Sequence, residues 1–315
     1  MKLSILLPTY NREPFLIKNL EMLTDYIRKG QFQSDIELVI SNNKSPDKTE
    51  IKVKEFINGN GDIQIEYFNQ EENIGLEKNA LFVLGKAKGE FVMYLGDDDY
   101  IEYEYLRNTL NFIDENPNTS VVIPSFVPID TNGIQIGKGR DEELPNSYTK
   151  AGFKNCLKNS WRGHQLSGLV LKRNGLLDAY EKYEVQNIYP FIFFVAYSSL
   201  YGDTFHLTEF PVKVIQPGQE NKDWNYGKDG LLNEVFDNYK RLPLNGIQKA
   251  RLQLFFYKRQ SWRLWNYGRN GFQSLLKAYV NIWFCDNSIT FFKIIFPILA
   301  IYQYLSWKIK SAFRG

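Results

Sequence analysis

Only two cysteines occur in the 315 residues, Cys156 and Cys285, and neither belongs to a CxxC pair, so no zinc knuckle and no disulfide framework is encoded. The scarcity predicts a chain that works in a reducing cytoplasm. No G-x-G-x-x-G follows the first apolar run and no Gly-Lys-Ser/Thr loop occurs anywhere, which disfavours a dinucleotide oxidoreductase and a P-loop nucleotidase. The run Leu3 to Leu7 stops at Pro8, too short for the apolar region of a signal peptide, so export by that route is not expected. The most apolar stretch, Ile289 to Leu305, is 17 residues long and is interrupted by Lys293, Pro297 and Gln303. Crossing a bilayer takes about 20 mostly apolar residues.

Acidic residues are nearly missing from the last fifth of the chain. Of 38 basic and 36 acidic residues, residues 251–315 hold ten Lys or Arg and a single acid, Asp286; that leaves 28 and 35, so the first 250 residues are net −7 and the remainder +9. A basic, apolar segment carrying Trp262, Trp265, Trp283 and Trp307 and flanked by Lys308, Lys310 and Arg314 predicts a helix lying in a membrane interface, near residues 289–310. The competing expectation is a core helix with a basic end. A nucleic-acid partner is disfavoured, because the cations are interleaved with carbon rather than gathered along a groove.

Against those absences, 43% of residues are hydrophobic, enough for a substantial core. Leu3 to Leu7, Ile36 to Ile40, Ile63 to Phe68, Phe91 to Leu95 and Val121 to Val127 have the composition of strands. Between them Pro14 to Lys29, Lys48 to Ile57, Leu76 to Ala87 and Tyr103 to Glu115 have helical spacing. The alternation predicts an α/β, Rossmann-like fold: a mostly parallel sheet flanked by helices, over residues 1–220, followed by a helical region over 221–315. Residues 128–150, rich in turn formers and charge, predict a surface excursion facing substrate. Gly168 to Leu171 predicts a strand, Tyr189 to Tyr201 a helix and Val212 to Ile215 an edge strand, with His206 buried in a strand.

Ligands of such sheets collect at the carboxyl ends of the strands. Three polar clusters fall there: Thr9-Tyr10-Asn11, Asn42-Asn43-Lys44-Ser45 and Asp97-Asp98-Asp99. Three adjacent carboxylates behind a buried strand repel one another, and a hard divalent cation, Mg²⁺ or Mn²⁺, relieves that repulsion while leaving positions for substrate phosphates.

The segments Ser4-Ile5-Leu6-Leu7-Pro8-Thr9-Tyr10-Asn11-Arg12, Ile40 to Thr49, Asn73-Ile74-Gly75 with Asn79, and Gly89-Glu90-Phe91 leading into the Asp triplet together resemble glycosyltransferase family 2, whose fold is GT-A. The resemblance covers residues 1–127. It implies that Pro8, Thr9, Tyr10 and Asn11 cup a nucleobase, and that Asn42 stands where many members carry an acid that accepts the uracil N–H. An amide oxygen accepts that bond without charge, so a UDP-sugar is the leading donor and other nucleotides remain open. Asn43 continues that motif with Ser45 and Asp47, the last also suited to capping the helix that follows. Asn73, Gly75 and Asn79, with Lys78 as the nearby cation, are implied near ribose and diphosphate, Asp97 near the ribose hydroxyls, and Asp98 or Asp99 on the metal.

Inverting members use a carboxylate to take the acceptor's proton, but the corresponding Asn187-Ile188-Tyr189-Pro190-Phe191 offers none. The remaining base candidates are Asp178, Glu181, Glu184 and His164, the last in a Gly-broken loop and of a residue type that titrates near neutrality. Gln216 to Asn221 takes the place where many members supply a His; Glu220 could substitute, or the segment is a turn. The Tyr-Pro variant resembles an abequosyltransferase-like subgroup that builds bacterial surface polysaccharide. The expectation is a metal-dependent transferase acting on a lipid-linked saccharide, peripheral on the cytoplasmic face of the cell membrane. The alternative is a non-catalytic nucleotide-sugar or saccharide-binding protein on the same fold.

Overall fold

The computed structural model describes residues 1–216, 231–261, 264, 267 and 271–312. Glu220, Trp262, Trp265 and Arg314 lie outside them, as do the side chains of Trp307 and Lys310. The chain divides into two compact units, Met1–Lys182 with Phe194–Asn221, and Tyr183–Phe193 with Lys222–Gly315.

In the first unit the strands are β1 (Leu3–Thr9), β2 (Ile36–Asn42), β3 (Gln64–Asn69), β4 (Phe91–Tyr94), β5 (Thr119–Ile129), β6 (Ser147–Thr149), β7 (Val170–Lys172) and β8 (Asp203–Ile215). They form one sheet in the order β3-β2-β1-β4-β7-β5-β8-β6, with β7 and β6 antiparallel to their neighbours and the other pairings parallel. The helices α1 (Glu13–Lys29), α2 (Thr49–Gly59), α3 (Leu76–Lys86) and α4 (Tyr103–Glu115) follow the first four strands, as the apolar spacing predicts.

Alternate residues of a strand face opposite sides. Leu3, Ile5 and Leu7 of β1, with Ile36, Leu38 and Ile40 of β2, therefore share one core with Leu16, Leu20, Leu23 and Ile27 of α1 and with Tyr105, Leu106, Leu110 and Ile113 of α4. On the other face, α3 packs against β1 and β2, and the Tyr94 hydroxyl reaches the Ala80 carbonyl at 3.0 Å.

The second half of this unit departs from the expectations. Val212 to Ile215 is not a separate strand but the end of the 13-residue β8, whose earlier residues Thr204, Phe205 and His206 pair with the short β6. Polar Thr204, Thr208 and Glu209 and a register shift opposite Pro124 and Phe126 hide that long strand in the sequence. Nor is 128–150 wholly a surface excursion, because Arg140 pairs with Phe126 and the side chains of Arg140 and Asp141 are only 8% and 10% exposed.

Asp141, at φ 61°, brings its carboxylate to Arg162 Nε at 2.6 Å, while His206 Nε2 lies 3.3 Å from the same oxygen. Burial pushes the Asp141 carboxyl up, but His206, Arg162 and the Arg140 charge outweigh it and hold it well below the usual carboxylate range. A charge this buried persists because it is paired.

The remaining helices of the first unit are α5 (Phe153–Asn159) and α6 (Leu176–Lys182), and α7 (Pro190–Tyr201) crosses the division between units. The second unit contains α8 (Leu231–Arg241), α9 (Gly246–Gln260), α10 (Phe272–Trp283) and α11 (Thr290–Ala312). Asn245 and Gln248 form a reciprocal capping box at the start of α9. Phe236, Tyr257, Phe292 and Phe296 pack edge-to-face where α8, α9 and α11 meet. No described helix is long and apolar enough to cross a membrane.

Candidate active site

Parallel pairing sets Thr9 beside Asn42 and Asn42 beside Asn69, so the ends of β1, β2 and β3 lie on one rim. The Leu95 N–H bonds to the Leu6 carbonyl at 3.0 Å, which brings the Asp triplet to the same rim. Thr9 Oγ1 then donates to Asp97 Oδ2 at 2.7 Å. Two of the polar clusters are thereby joined by a side-chain bond spanning 88 positions of sequence.

The three acids have different surroundings. Asp99 is 5% exposed and its carboxylate is occupied: Oδ2 accepts from Ser167 Oγ and from Gln165 Nε2 at 3.1 Å, and Oδ1 accepts from the Ile215 N–H at 3.1 Å. Asn19, on the apolar stripe of α1, holds the turn from beneath by donating to the carbonyls of Gly96 at 3.1 Å and Asp99 at 2.8 Å. Gly96 suits the close turn, since a Cβ there would stand 3.0 Å from Asp99 Oδ2 and 3.1 Å from Ser167 Oγ, a fit tight enough that these side chains would have to give.

Burial raises the Asp97 carboxyl to about 7 against the pull of the Thr9 hydroxyl, and the Asp98 charge adds to the rise. Asp99 is likewise raised to about 7, by burial first, with the Ser167 hydrogen bond opposing. Asp98, half-buried between them, takes no hydrogen bond or ion pair from any described residue.

This donor set fits a hard divalent cation: one carboxylate without a partner among the described residues, flanked by two whose ionisation burial disfavours. Among the described residues no group of three His, Cys, Asp or Glu side chains converges to hold an ion alone. Mg²⁺ and Mn²⁺ sites commonly take only one or two carboxylates where substrate phosphates complete the set.

The Asn42 side of the rim is a closed web of amides. Asn42 is 1% exposed; its Oδ1 accepts from the Ser45 N–H at 3.0 Å and from the Ser45 hydroxyl, and its Nδ2 donates to Asn69 at 2.9 Å and Tyr67 at 3.2 Å. Its oxygen, expected to face uracil, is turned into the loop instead. Asn43 Nδ2 donates to Asn73 Oδ1 at 2.9 Å and its Oδ1 accepts from the Ile74 N–H at 2.8 Å. Asn79 is spent on Ser41, through its hydroxyl at 2.6 Å and its carbonyl at 3.1 Å.

Asp47 does more than the expected capping: Oδ1 takes the Thr49 N–H at 3.0 Å and Oδ2 the Glu13 N–H at 3.1 Å, so one carboxylate fixes the starts of α1 and α2. On the exposed surface of the rim stand Tyr10, 46% accessible, Asn11, Gly75 and Lys78, with Pro8 half-buried. Asn11, at φ 56°, is held by its N–H on Ser45 Oγ at 2.9 Å, and Gly75, at φ 84°, opens α3 with its own N–H on Asn73 Oδ1.

The four base candidates separate. β7 runs against β4, pairing Val170 with Met93 and Lys172 with Phe91, so the chain leaves β7 at the edge opposite the triplet, and Asp178, in the first turn of α6, starts from there. Glu181, on the same helix, is exposed. Glu184 belongs to the second unit, where it pairs with Arg241 at 3.3 Å. His164 immediately precedes Gln165, which bonds Asp99; its ring stacks on Trp161, and Nδ1 lies 2.9 Å from the Trp161 carbonyl. A carbonyl can only accept, so Nδ1 carries a proton in this contact.

The sequence reading missed Ser167, Gln165 and Asn19. Only Asn19 leaves a trace, a polar residue at a core position among Leu16, Leu20 and Leu23.

The glycosyl transferase family 2 model matches residues 4–171. Three bacterial proteins are similar over shorter stretches. The poly(ribitol-phosphate) beta-N-acetylglucosaminyltransferase TarS of Staphylococcus aureus is 31% identical over 135 residues, 42% of this chain and 22% of that protein. Abequosyltransferase RfbV of Salmonella typhimurium is 32% identical over 114 residues, covering 36% of this chain and 33% of that one. The GalNAc(5)-diNAcBac-PP-undecaprenol beta-1,3-glucosyltransferase of Campylobacter jejuni is 33% identical over 118 residues, 37% of this chain and 35% of that one. The matching segments thus span a third or less of RfbV and TarS and little more of the third protein. In structure, TarS 1–349 in complex with UDP-GlcNAc superposes with a TM-score of 0.62 at 19% identity, covering 82% of this chain and 72% of that one, and the two share the GT-A fold. With the family's model spanning more than half of its length, the chain belongs to glycosyl transferase family 2.

Proposed function

We propose that this protein transfers a sugar from a nucleotide-sugar, UDP-linked in the first instance, to a lipid-linked saccharide in bacterial surface-glycan synthesis. The observation that carries the reading is Asp98, a carboxylate that takes no partner from the described residues, at the rim of a parallel sheet and between two acids whose pKa values burial raises to about 7. The UDP-GlcNAc bound by TarS and the PP-undecaprenol in the Campylobacter relative's name support the classes of donor and acceptor.

Tyr10 offers a ring face for a base, and backbone groups of the amide-locked loop take the place of Asn42 in reading its edge. Asp97, oriented by Thr9, accepts from ribose hydroxyls, while the N–H groups opening α3, with Lys78, face the diphosphate. Asp98 holds the divalent cation. When bound, that ion supplies charge neutralisation for the departing nucleoside diphosphate. His164 Nε2 takes the proton of the acceptor hydroxyl as it attacks the anomeric carbon, giving inversion. Asp99 holds the turn on which Asp97 and Asp98 stand.

The exposed apolar face of α11, with Ile294, Ile298, Ile301 and Leu305 each more than half accessible, supports peripheral attachment to the cytoplasmic face of the membrane.

The test is a panel of UDP-sugars with Mn²⁺ and a polyprenyl-diphosphate-linked saccharide. The wild type turns over at least one donor, and Asp98→Asn loses about a hundredfold or more in kcat. No transfer despite donor binding would leave the binding-protein alternative, and equal turnover by Asp98→Asn would overturn the metal assignment.

A further inference from the structure

Within the second unit, α10 and α11 meet along a groove of about 350 Å³ whose walls are almost entirely carbon, contributed by Leu275, Tyr279, Trp283, Phe296, Ala300 and Tyr304 among others. That volume is at the lower end of pockets that enclose small ligands, roughly 300–1,000 Å³. Its polar fixings lie outside it. Pro297 has no N–H to give the Lys293 carbonyl one turn earlier, and the Trp283 indole N–H takes its place at 3.0 Å, which fixes the ring as a wall. At the other end Phe272 meets Tyr304 edge-on at 5.7 Å, and Lys308 Nζ stands 5.9 Å from the centre of the Tyr304 ring.

Leu276, Val280 and Ile301 line the groove yet are 49%, 42% and 61% exposed, and Ile294 and Ile298 beside it are 63% and 71% exposed. Water finds no partners on such walls, and apolar surface of this extent marks an occupant made of carbon. The surrounding sequence, with ten cations and one acid over residues 251–315, complements an anionic headgroup. Several walls are aromatic rings, stiff surfaces that need little ordering to hold a chain.

The geometry points to a binding site for a single polyisoprenyl chain of an anionic carrier lipid, seated between α10 and α11 with its phosphate at the Lys308 end. The identity of the chain rests on the lipid-linked acceptor proposed above; the carbon-lined slot does not.

Calorimetric titration of the full-length protein with farnesyl phosphate tests it, using dodecyl phosphate as the straight-chain comparison and a UDP thermal shift on the same samples. Farnesyl phosphate is expected to bind the wild type and Ile247→Ser, at an exposed position of α9 that does not line the groove, with the same Kd. Ala300→Trp, which fills the slot, and Leu276→Asp, at a half-exposed wall position where folding tolerates charge, are each expected to weaken it about tenfold or more. Dodecyl phosphate is expected to bind about tenfold more weakly than farnesyl phosphate. Absence of farnesyl phosphate binding, or equal binding by both groove variants, overturns the site, and equal binding of dodecyl phosphate overturns its polyisoprenyl assignment. Farnesyl phosphate binding without any UDP shift supports the groove and overturns the UDP-linked donor instead.

Discussion

Ser167 is fully buried, and its hydroxyl joins the two parts of the acidic turn, donating to Asp99 Oδ2 while accepting from the Gly96 N–H at 2.9 Å. Ser167→Ala removes both bonds at once. A hydrogen bond to a charged group contributes about 1.5–3 kcal/mol, and a buried N–H left without a partner costs about 1–3 kcal/mol. Gln165 and the Ile215 N–H remain on the carboxylate, so we expect a net loss of about 3 kcal/mol when Asp99 is ionised. With its pKa near 7 in the folded protein, Asp99 carries that charge only as pH rises through neutrality. Because the Ser167 bond favours the ionised form, removing it raises the pKa further. The cost therefore rises through pH 8 towards its full value above the variant's raised pKa, and near pH 5.5 falls to about 2 kcal/mol, where a neutral acid loses an ordinary hydrogen bond and the Gly96 N–H stays unpaired. Of the six tryptophans only Trp161 belongs to the first unit, so fluorine NMR of fluorotryptophan-labelled protein during urea titration reads this unit apart from the second. A loss below about 0.5 kcal/mol at pH 8, or one that grows on acidification, would refute the reasoning.

Two further substitutions test other parts of the rim. Gly75→Ala places a Cβ in open space but at φ 84°, ψ 166°, a region that only glycine visits freely, so we expect about 1–3 kcal/mol of local strain, relieved by displacing the start of α3. Its signature is a KM for the donor raised about fivefold or more at nearly unchanged global stability; an unchanged KM would detach α3 from the donor. Arg162→Met leaves Asp141 buried without its closest cation and should cost about 3–5 kcal/mol at pH 7. Asp141 is depressed in the folded state, so the stability it contributes is present above about pH 4 and is lost as pH falls. The gap between variant and wild type should accordingly narrow in acid; a constant gap from pH 7 to 3 would show that packing rather than charge is lost.

The first half of the sheet was legible because burial there writes itself as period: Leu3, Ile5 and Leu7 alternate with residues of the other face, and the helices repeat at three and four. β8 was not, since its strand character comes from pairing with β5 across nearly ninety positions, while polar Thr204, and Thr208 and Glu209 in the break of that pairing between Leu207 and Val212, interrupt the apolar pattern. At the site, the polar rim could be read from strand ends and the acids from their mutual repulsion. Which of Asp98 and Asp99 is held by hydrogen bonds could not, because the answer lies in Ser167 and Gln165, some 66–68 residues downstream. Asn42 illustrates the converse. Its position was read correctly, but its hydrogen bonds to Ser45, Asn69 and Tyr67 decide where its oxygen points.

Mn²⁺ binding in the presence of UDP, followed by electron paramagnetic resonance in the wild type, Asp98→Asn and Asp99→Asn, tests the central claim most directly. The ion should bind the wild type, be lost or weakened about a hundredfold in Asp98→Asn, and persist in Asp99→Asn despite that variant's lower stability. Binding by Asp98→Asn at wild-type affinity, or its loss in Asp99→Asn alone, would contradict the account.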